Sequence, residues 1–421
     1  MLRNYEDINK IKFPLEQEIF ISDSTIRDGL QMPGIVMTAS HKVKIYEYLH
    51  KIGIEKLETF VFNERDKDAV KGMLDIGYEK PEVTGWARAN PNDIDAVLEI
   101  DEIKETGILM SVSDVHIFDK IGFESKEEAE SKYLEAFDYA IDHGLKVRAH
   151  LEDMTRSDME GFVFPLIKKL LERDDETILR VCDTTGFGLP FENVGLPMSI
   201  PKTIKALRDM GANNIETHVH DDYGYGIANT MAGYWYGANW SNLTFLGIGE
   251  RSGNTELEKI LVFFVTRVEG FEKYDLQSLT EFANYMEQNI GLRVPRNKSV
   301  VGKNVFTHES GLHTAGVIKN PFTYEPYPPE LVGGRRNLLI GVSSGKAVIR
   351  HKIEEKLKEL MGFDLKIQKD DPRIQRIHDE IQRLYDQGDR RSAISEEEIK
   401  GYAEKHFLFD SIVHTEMFRE E

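Results

Sequence analysis

A single cysteine, Cys182, among 421 residues excludes an intramolecular disulfide, a cysteine-built zinc site and a cysteine-held iron–sulfur cluster. Positive charge is also short. Lys and Arg number 53 against 73 Asp and Glu, a net charge of −20. That leaves too little basic surface to neutralise a phosphate backbone non-specifically. No stretch approaches the ~20 apolar residues of a spanning helix. The N-terminal MLRNYEDINKIKFPLEQ lacks the apolar run of a secretory signal. These absences predict a cytoplasmic protein with no nucleic-acid and no membrane partner. The chain is 40% apolar and 10% aromatic, enough for a sizeable core, so disorder of the whole chain is excluded too.

Between residues 17 and 268 short apolar runs alternate with longer amphipathic ones. The short runs are EIFISD (18–23), IEKLETF (54–60), EVTGWAR (82–88), GILMSV (107–112), LKVRAHL (145–151), TILRVCD (177–183), NIETHV (214–219) and NLTFLG (242–247). They have the length and β-branched content of buried strands. Between them, HKVKIYEYLHKIG puts Val43, Tyr46, Leu49 and Ile52 at helical spacing, and the 124–144 segment does the same with Tyr133, Phe137 and Ala140. Eight strand-plus-helix units in this length predict an α/β fold, a (β/α)8 barrel. An open doubly wound sheet shows the same alternation. After residue 270 the pattern changes to a loop-rich stretch and then to helices near 346–361, 371–385 and 395–405. The expected domains are a barrel (1–275), a linker subdomain (276–345) and a helical C-terminal subdomain (346–421). The last third is expected to form little core of its own.

Five polar clusters fall at the carboxyl ends of expected strands, where a barrel builds its active site. DSTIRDGLQ (23–31) sets Arg27 beside Asp28, either a simple salt bridge or a cation ligand beside a fixed positive charge. HVHDD (218–222) points His218 and His220 to one side, because alternate strand residues share a face. GIGERSGN (247–254) lets backbone approach a ligand and offers the Asn254 carbonyl oxygen. VRAHLEDMTRSD (147–158) aligns Arg148, His150 and Glu152, and CDTTG (182–186) offers Thr184. One carboxylate, two imidazoles and an amide suit a divalent metal ion. Donor chemistry alone does not choose among Mn²⁺, Co²⁺, Mg²⁺ and Zn²⁺.

At these residues the chain resembles the acyl-CoA-condensing branch of the DRE-TIM metallolyases, which includes the homocitrate and 2-isopropylmalate synthases. The likeness lies in the RDG turn, the H-x-H followed by Asp, GxGERxGN and FTHESGLHTAG (306–316). It implies a Claisen-type condensation of acetyl-CoA with a 2-oxo acid at a divalent ion, Mn²⁺ foremost. Asp28, His218, His220 and Asn254 are then the implied metal ligands. Arg27 stabilises the developing alkoxide, and Gln31 and Thr184 hold the 2-oxo acid. The implied base is His313, supplied across a homodimer and working with Glu152; His308 is its rival. Arg148, four residues before Glu152, is expected to grip a second substrate carboxylate, with His150 beside it. The phrases VTGWARAN, LMSVSDVHIF and RAHLEDMTRSDMEGFVFP are similar to (Re)-citrate synthases, which implies oxaloacetate rather than 2-oxoglutarate. An acyl-CoA lyase on the same barrel is the alternative from another reaction class. Leu30 and Asp221 depart from the Glu and Asn common in this branch.

Overall fold

The computed structural model describes residues 3–388 and 390–409. Eight parallel strands close on themselves in sequence order: β1 (Phe20–Asp23), β2 (Lys56–Glu58), β3 (Glu82–Arg88), β4 (Glu105–Ser111), β5 (Lys146–Glu152), β6 (Ile178–Asp183), β7 (Asn214–Val219) and β8 (Trp240–Leu243). Closure is made by β1 on β8, with Phe20 opposite Trp240 and Asp23 opposite Leu243. This is the (β/α)8 barrel, and the open-sheet alternative is set aside. The eighth strand ends earlier than its apolar run suggests. Leu246 turns to φ +63°, so Phe245–Gly247 is a tight turn rather than strand.

The helices α1 (Ala39–Ile52), α2 (Glu64–Ile76), α3 (Pro91–Leu98), α4 (Lys126–Asp142), α5 (Phe164–Leu171), α6 (Ile200–Asp209), α7 (Gly226–Tyr236) and α8 (Leu257–Arg267) follow their strands. Several begin on a side-chain cap, as Thr38 accepts from the His41 amide and Ser125 from the Glu128 amide. Their apolar faces cover the outside of the barrel, with Ile45, Leu49, Val70, Phe137, Ile167, Ile204 and Phe264 fully buried. Among the described residues no helix is long and apolar enough to cross a membrane.

Two compact units form, Asn9–Val294 and Met1–Ile8 with Pro295–Glu421. The division therefore falls at 294, not 275. Helix α9 (Leu279–Tyr285) stays with the barrel because Phe282 stacks on Phe245 at 3.7 Å and on Tyr48 at 4.7 Å. The first residues leave the barrel, since Tyr5 packs edge-on against Phe322 and the Asn320 amide donates to the Arg3 carbonyl. The segments expected as linker and C-terminal subdomain share one unit. It contains α10 (Gly311–Lys319), α11 (Lys346–Met361), α12 (Pro372–Asp386) and α13 (Glu396–Ala403). The expectation of little core is also corrected. Val348, Ile349, Ile353, Leu357, Ile374, Ile377, Ile381 and Ile399 form a buried cluster. At roughly 1.5–3 kcal/mol per fully buried aliphatic side chain, that is a core in its own right.

Candidate active site

The barrel interior has two layers of different character. The deeper one is ionic. Arg148 on β5 donates from Nε and Nη2 to Glu105 Oε1 (3.1 and 2.8 Å) and from Nη1 to Glu216. Arg180 on β6 pairs with the same Glu216 and, through Nη1, with Glu58 Oε2 at 2.9 Å. Lys56 completes Glu105, and the Ser22 hydroxyl donates to Glu216 at 2.6 Å. A buried charge without a partner is costly, and here each is matched by an opposite one. Burial would raise the Glu216 carboxyl, but Arg148 and Arg180 outweigh it and bring its pKa down to about 2.

Above this layer lies a cavity of about 850 Å³ at the carboxyl ends of the strands. Arg27, Asp28, His150, Glu152, Thr184, His218 and His220 line it, with Gln31 at its exposed edge. Asp28 occupies the turn after β1. His218 and His220 leave the end of β7 on one side of the strand. Ligand atoms of the three lie within 4.8 Å of one another, and all three residues are buried. His218 Nε2 is 3.1 Å and His220 Nε2 is 3.9 Å from Asp28 Oδ2. Burial would raise the Asp28 carboxyl, but Arg27 and His218 hold it well below the usual carboxylate range. Burial and the neighbouring His218 lower the His220 pKa to about 4. An ionised carboxylate and a neutral imidazole are the protonation states a metal needs.

Asn254 joins this group. Its Nδ2 donates to the Ile248 carbonyl at 3.1 Å. A Cβ on Gly249 would stand 2.2 Å from Asn254 Nδ2 and 3.3 Å from Asp28 Oδ1, so only glycine lets this loop pass. Asp28 Oδ1 and Asn254 Oδ1 are both buried without a hydrogen-bond partner. Two orphaned oxygens beside two imidazoles fit a hard divalent cation. Arg27 is fixed next to them by Nε donating to Glu58 Oε1 at 2.6 Å, with Nη1 3.2 Å from Asp28 Oδ2.

Across the barrel, Glu152 accepts from Ser111 and, at 2.5 Å, from Lys120, and its Oε2 is 3.1 Å from His116 Nδ1. Burial would raise its pKa, but His116 and Lys120 bring it down to about 2. As a carboxylate it anchors both neighbours. His116 and Lys120 lie on the π-helical turn Val115–Ile121, and both line the cavity. Neither Lys120 nor His116 was among the candidate site residues read from the sequence. His116 was signalled by the polar SDVH (113–116) just beyond β4; Lys120 had no such signal. Thr184 accepts from the Asp153 amide at 2.8 Å, which leaves its own O–H to donate.

Two expected residues stand elsewhere. Arg148 does not line the cavity. It is two residues deeper on β5, only 2% exposed and saturated by two carboxylates, so the expected grip on a second substrate carboxylate is corrected. His313 is exposed on α10 in the other unit, its ring 4.1 Å from Tyr324. His308 lies 3.2 Å from the buried Glu325, which Arg336 also grips. The lone Cys182 lines the cavity, and burial pushes its thiol up and keeps it protonated.

Fold and site together define a (β/α)8 barrel that carries, at the carboxyl ends of its strands, a buried cluster of one carboxylate and two imidazoles able to hold a metal ion. The HMGL-like family model matches residues 18–286, and the homocitrate synthase post-HMGL domain-like model matches 300–389. The citrate (Re)-synthase of Clostridium kluyveri is 36% identical over 88% of this chain and 85% of its own. A homocitrate synthase of Methanocaldococcus jannaschii is 33% identical over 83% of this chain and 82% of its own. The crystal structure of the Bacillus subtilis HMG-CoA lyase covers 68% of this chain and 97% of its own, with a TM-score of 0.54 at 22% identity, a likeness of fold alone. The chain belongs to the HMGL-like family and, within it, to the acetyl-CoA-condensing synthases of the DRE-TIM metallolyases.

Proposed function

We propose that the protein condenses acetyl-CoA with oxaloacetate and water to give citrate and coenzyme A. The observation that carries the reaction class is the Asp28–His218–His220 triad with the orphaned oxygens of Asp28 and Asn254. Those four residues would hold the divalent ion, Mn²⁺ foremost, with Co²⁺, Mg²⁺ and Zn²⁺ compatible. When bound, the ion supplies Lewis-acid polarisation of the keto group. Arg27, locked by Glu58, presents a fixed positive charge where negative charge develops on the keto oxygen. The Thr184 hydroxyl and Gln31 orient the 2-oxo acid. His313, exposed on α10, is the base for the acetyl methyl proton in this reading, with His308, paired to Glu325, as its rival. It would reach a site from a neighbouring subunit of a homodimer. Glu152 then serves by holding His116 and Lys120 in place.

Similarity to two citrate (Re)-synthases, at 36% and 32% identity, supports oxaloacetate as the acceptor. With Arg148 removed from the pocket, that similarity bears most of the substrate argument. Homocitrate formation from 2-oxoglutarate is the second reading, favoured by the C-terminal family match; 2-isopropylmalate formation ranks third. The test is coenzyme A release from acetyl-CoA with oxaloacetate, 2-oxoglutarate, 2-oxoisovalerate or pyruvate, under each divalent metal, with the product identified. Citrate should dominate. A clear preference for another acid would overturn the substrate, and cleavage of a hydroxyacyl-CoA without condensation would overturn the reaction class.

A further inference from the structure

Between the cavity and the ionic layer stands His150. On β4, β5 and β6 the cavity is lined by Leu109, Ser111, His150, Glu152 and Cys182. The inward residues one step deeper, Gly107, Arg148 and Arg180, do not reach it. The His150 ring bridges the gap. It lies against the β4 backbone, where a Cβ on Gly107 would sit 2.3 Å from its Nε2 and 2.4 Å from its Cε1. Only glycine leaves that notch. Nε2 stands 3.2 Å from Glu58 Oε2, and Nδ1 stands 3.5 Å from Arg180 Nη1. Arg180 Nη2, in the layer below, is buried without a hydrogen-bond partner.

We propose that His150, seated over Gly107, is the floor that sets the depth of the 2-oxo acid pocket and screens the unpartnered donor of Arg180. The proposal rests on the 2-oxo acid condensation above and names the device that separates acids by length. Burial, followed by Arg180, lowers the His150 pKa to about 3. The ring is therefore neutral and works by occupying space. Beneath it, Arg180 carries a full charge, and the two N–H groups of its Nη2 are unused. An acid one carbon longer collides with the ring. With the ring removed, its distal carboxylate reaches Arg180.

The experiment compares kcat/KM for oxaloacetate, 2-oxoglutarate and 2-oxopentanoate in wild type, His150→Ala, Gly107→Ala and the double variant. In His150→Ala the ratio of 2-oxoglutarate to oxaloacetate should rise roughly 10–200-fold, the range one methylene commands, with KM for acetyl-CoA unchanged. 2-Oxopentanoate has the same length without the distal carboxylate and should gain less. Gly107→Ala drives the ring into the cavity and should lower kcat/KM more for the longer acid. In the His150→Ala background the same methyl should cost little, a coupling that a merely structural role does not produce. An unchanged ratio in His150→Ala that unfolds and binds Mn²⁺ like wild type would overturn the proposal. So would an equal Gly107→Ala penalty in both backgrounds. If His150→Ala fails to fold, Gly107→Ala decides alone, and equal loss on both acids rejects the floor. Failure of the citrate reading is seen separately, in wild type. The depth test is then run on the acid it does use and its next homologue.

Discussion

The two layers inside the barrel are both polar and buried, and they do opposite things. In the deeper layer Arg148, Arg180, Glu105 and Glu216 face one another and each charge has its counter-charge, although Arg180 Nη2 is left without a hydrogen-bond partner. Around the cavity, Asp28 Oδ1, Asn254 Oδ1, His218 Nδ1 and His220 Nδ1 are buried and lack a hydrogen-bond partner. A satisfied buried charge holds a fold in one arrangement. An unsatisfied one waits for a ligand. Two residues along a strand separate structure from site: on β7 Glu216 is held in the ionic layer while His218 faces the cavity.

The sharpest way to break that division is to exchange the expected consequences. His218→Ala should abolish turnover and divalent-metal binding together, while thermal unfolding of the metal-free protein stays close to wild type. Glu216→Ala should do the reverse. It strands two buried guanidinium groups and should cost about 3–5 kcal/mol in denaturant unfolding, whatever the metal. Glu152→Gln frees His116 and Lys120, and should lower kcat/KM by roughly 10–100-fold, the size expected when a supporting partner is lost, with metal affinity kept. Arg148→Lys retains charge but not the two-donor grip on Glu105 Oε1. It should lower stability without a selective rise in KM for the 2-oxo acid, and a selective rise would move Arg148 back into the pocket.

The smallest effect is one of pH. The folded His150 ring refuses a proton that the unfolded chain accepts below about 6.5, because its pKa falls to about 3. Stability contributed by the neutral ring is complete above pH 6.5 and declines as pH falls. Glu152 and Glu216, each lowered to about 2, contribute stability that is lost only below the ordinary carboxylate range near 4.5. The stability of wild type should therefore begin to decline between pH 6.5 and 4.5, and His150→Gln should make that decline shallower, with His220 supplying the remainder.

Much of this was legible in the chain. The eight apolar runs, the alternation and the Asp28, His218 and His220 positions follow from local periodicity and from where polar residues end a strand. Three features were not legible for physical reasons. Arg148 and Glu152 share strand parity, and parity says which way a side chain faces but not how deep its layer lies. Only the carboxylates of β4 and β7 opposite Arg148 show that it is taken. Lys120 enters the site through a π-helical turn, a local choice with no period of its own. The core of the C-terminal unit comes from isoleucines on α11, α12 and α13, each helix too modest alone to announce that the three pack together.

The measurement that bears most directly on the account is the rate of coenzyme A release from acetyl-CoA plus oxaloacetate, with and without a divalent ion, in wild type and in Asp28→Asn. Release should be matched mole for mole by citrate, depend on the ion, and be absent in Asp28→Asn. Release that persists after the ion is chelated, or that survives Asp28→Asn at the wild-type rate, would contradict it.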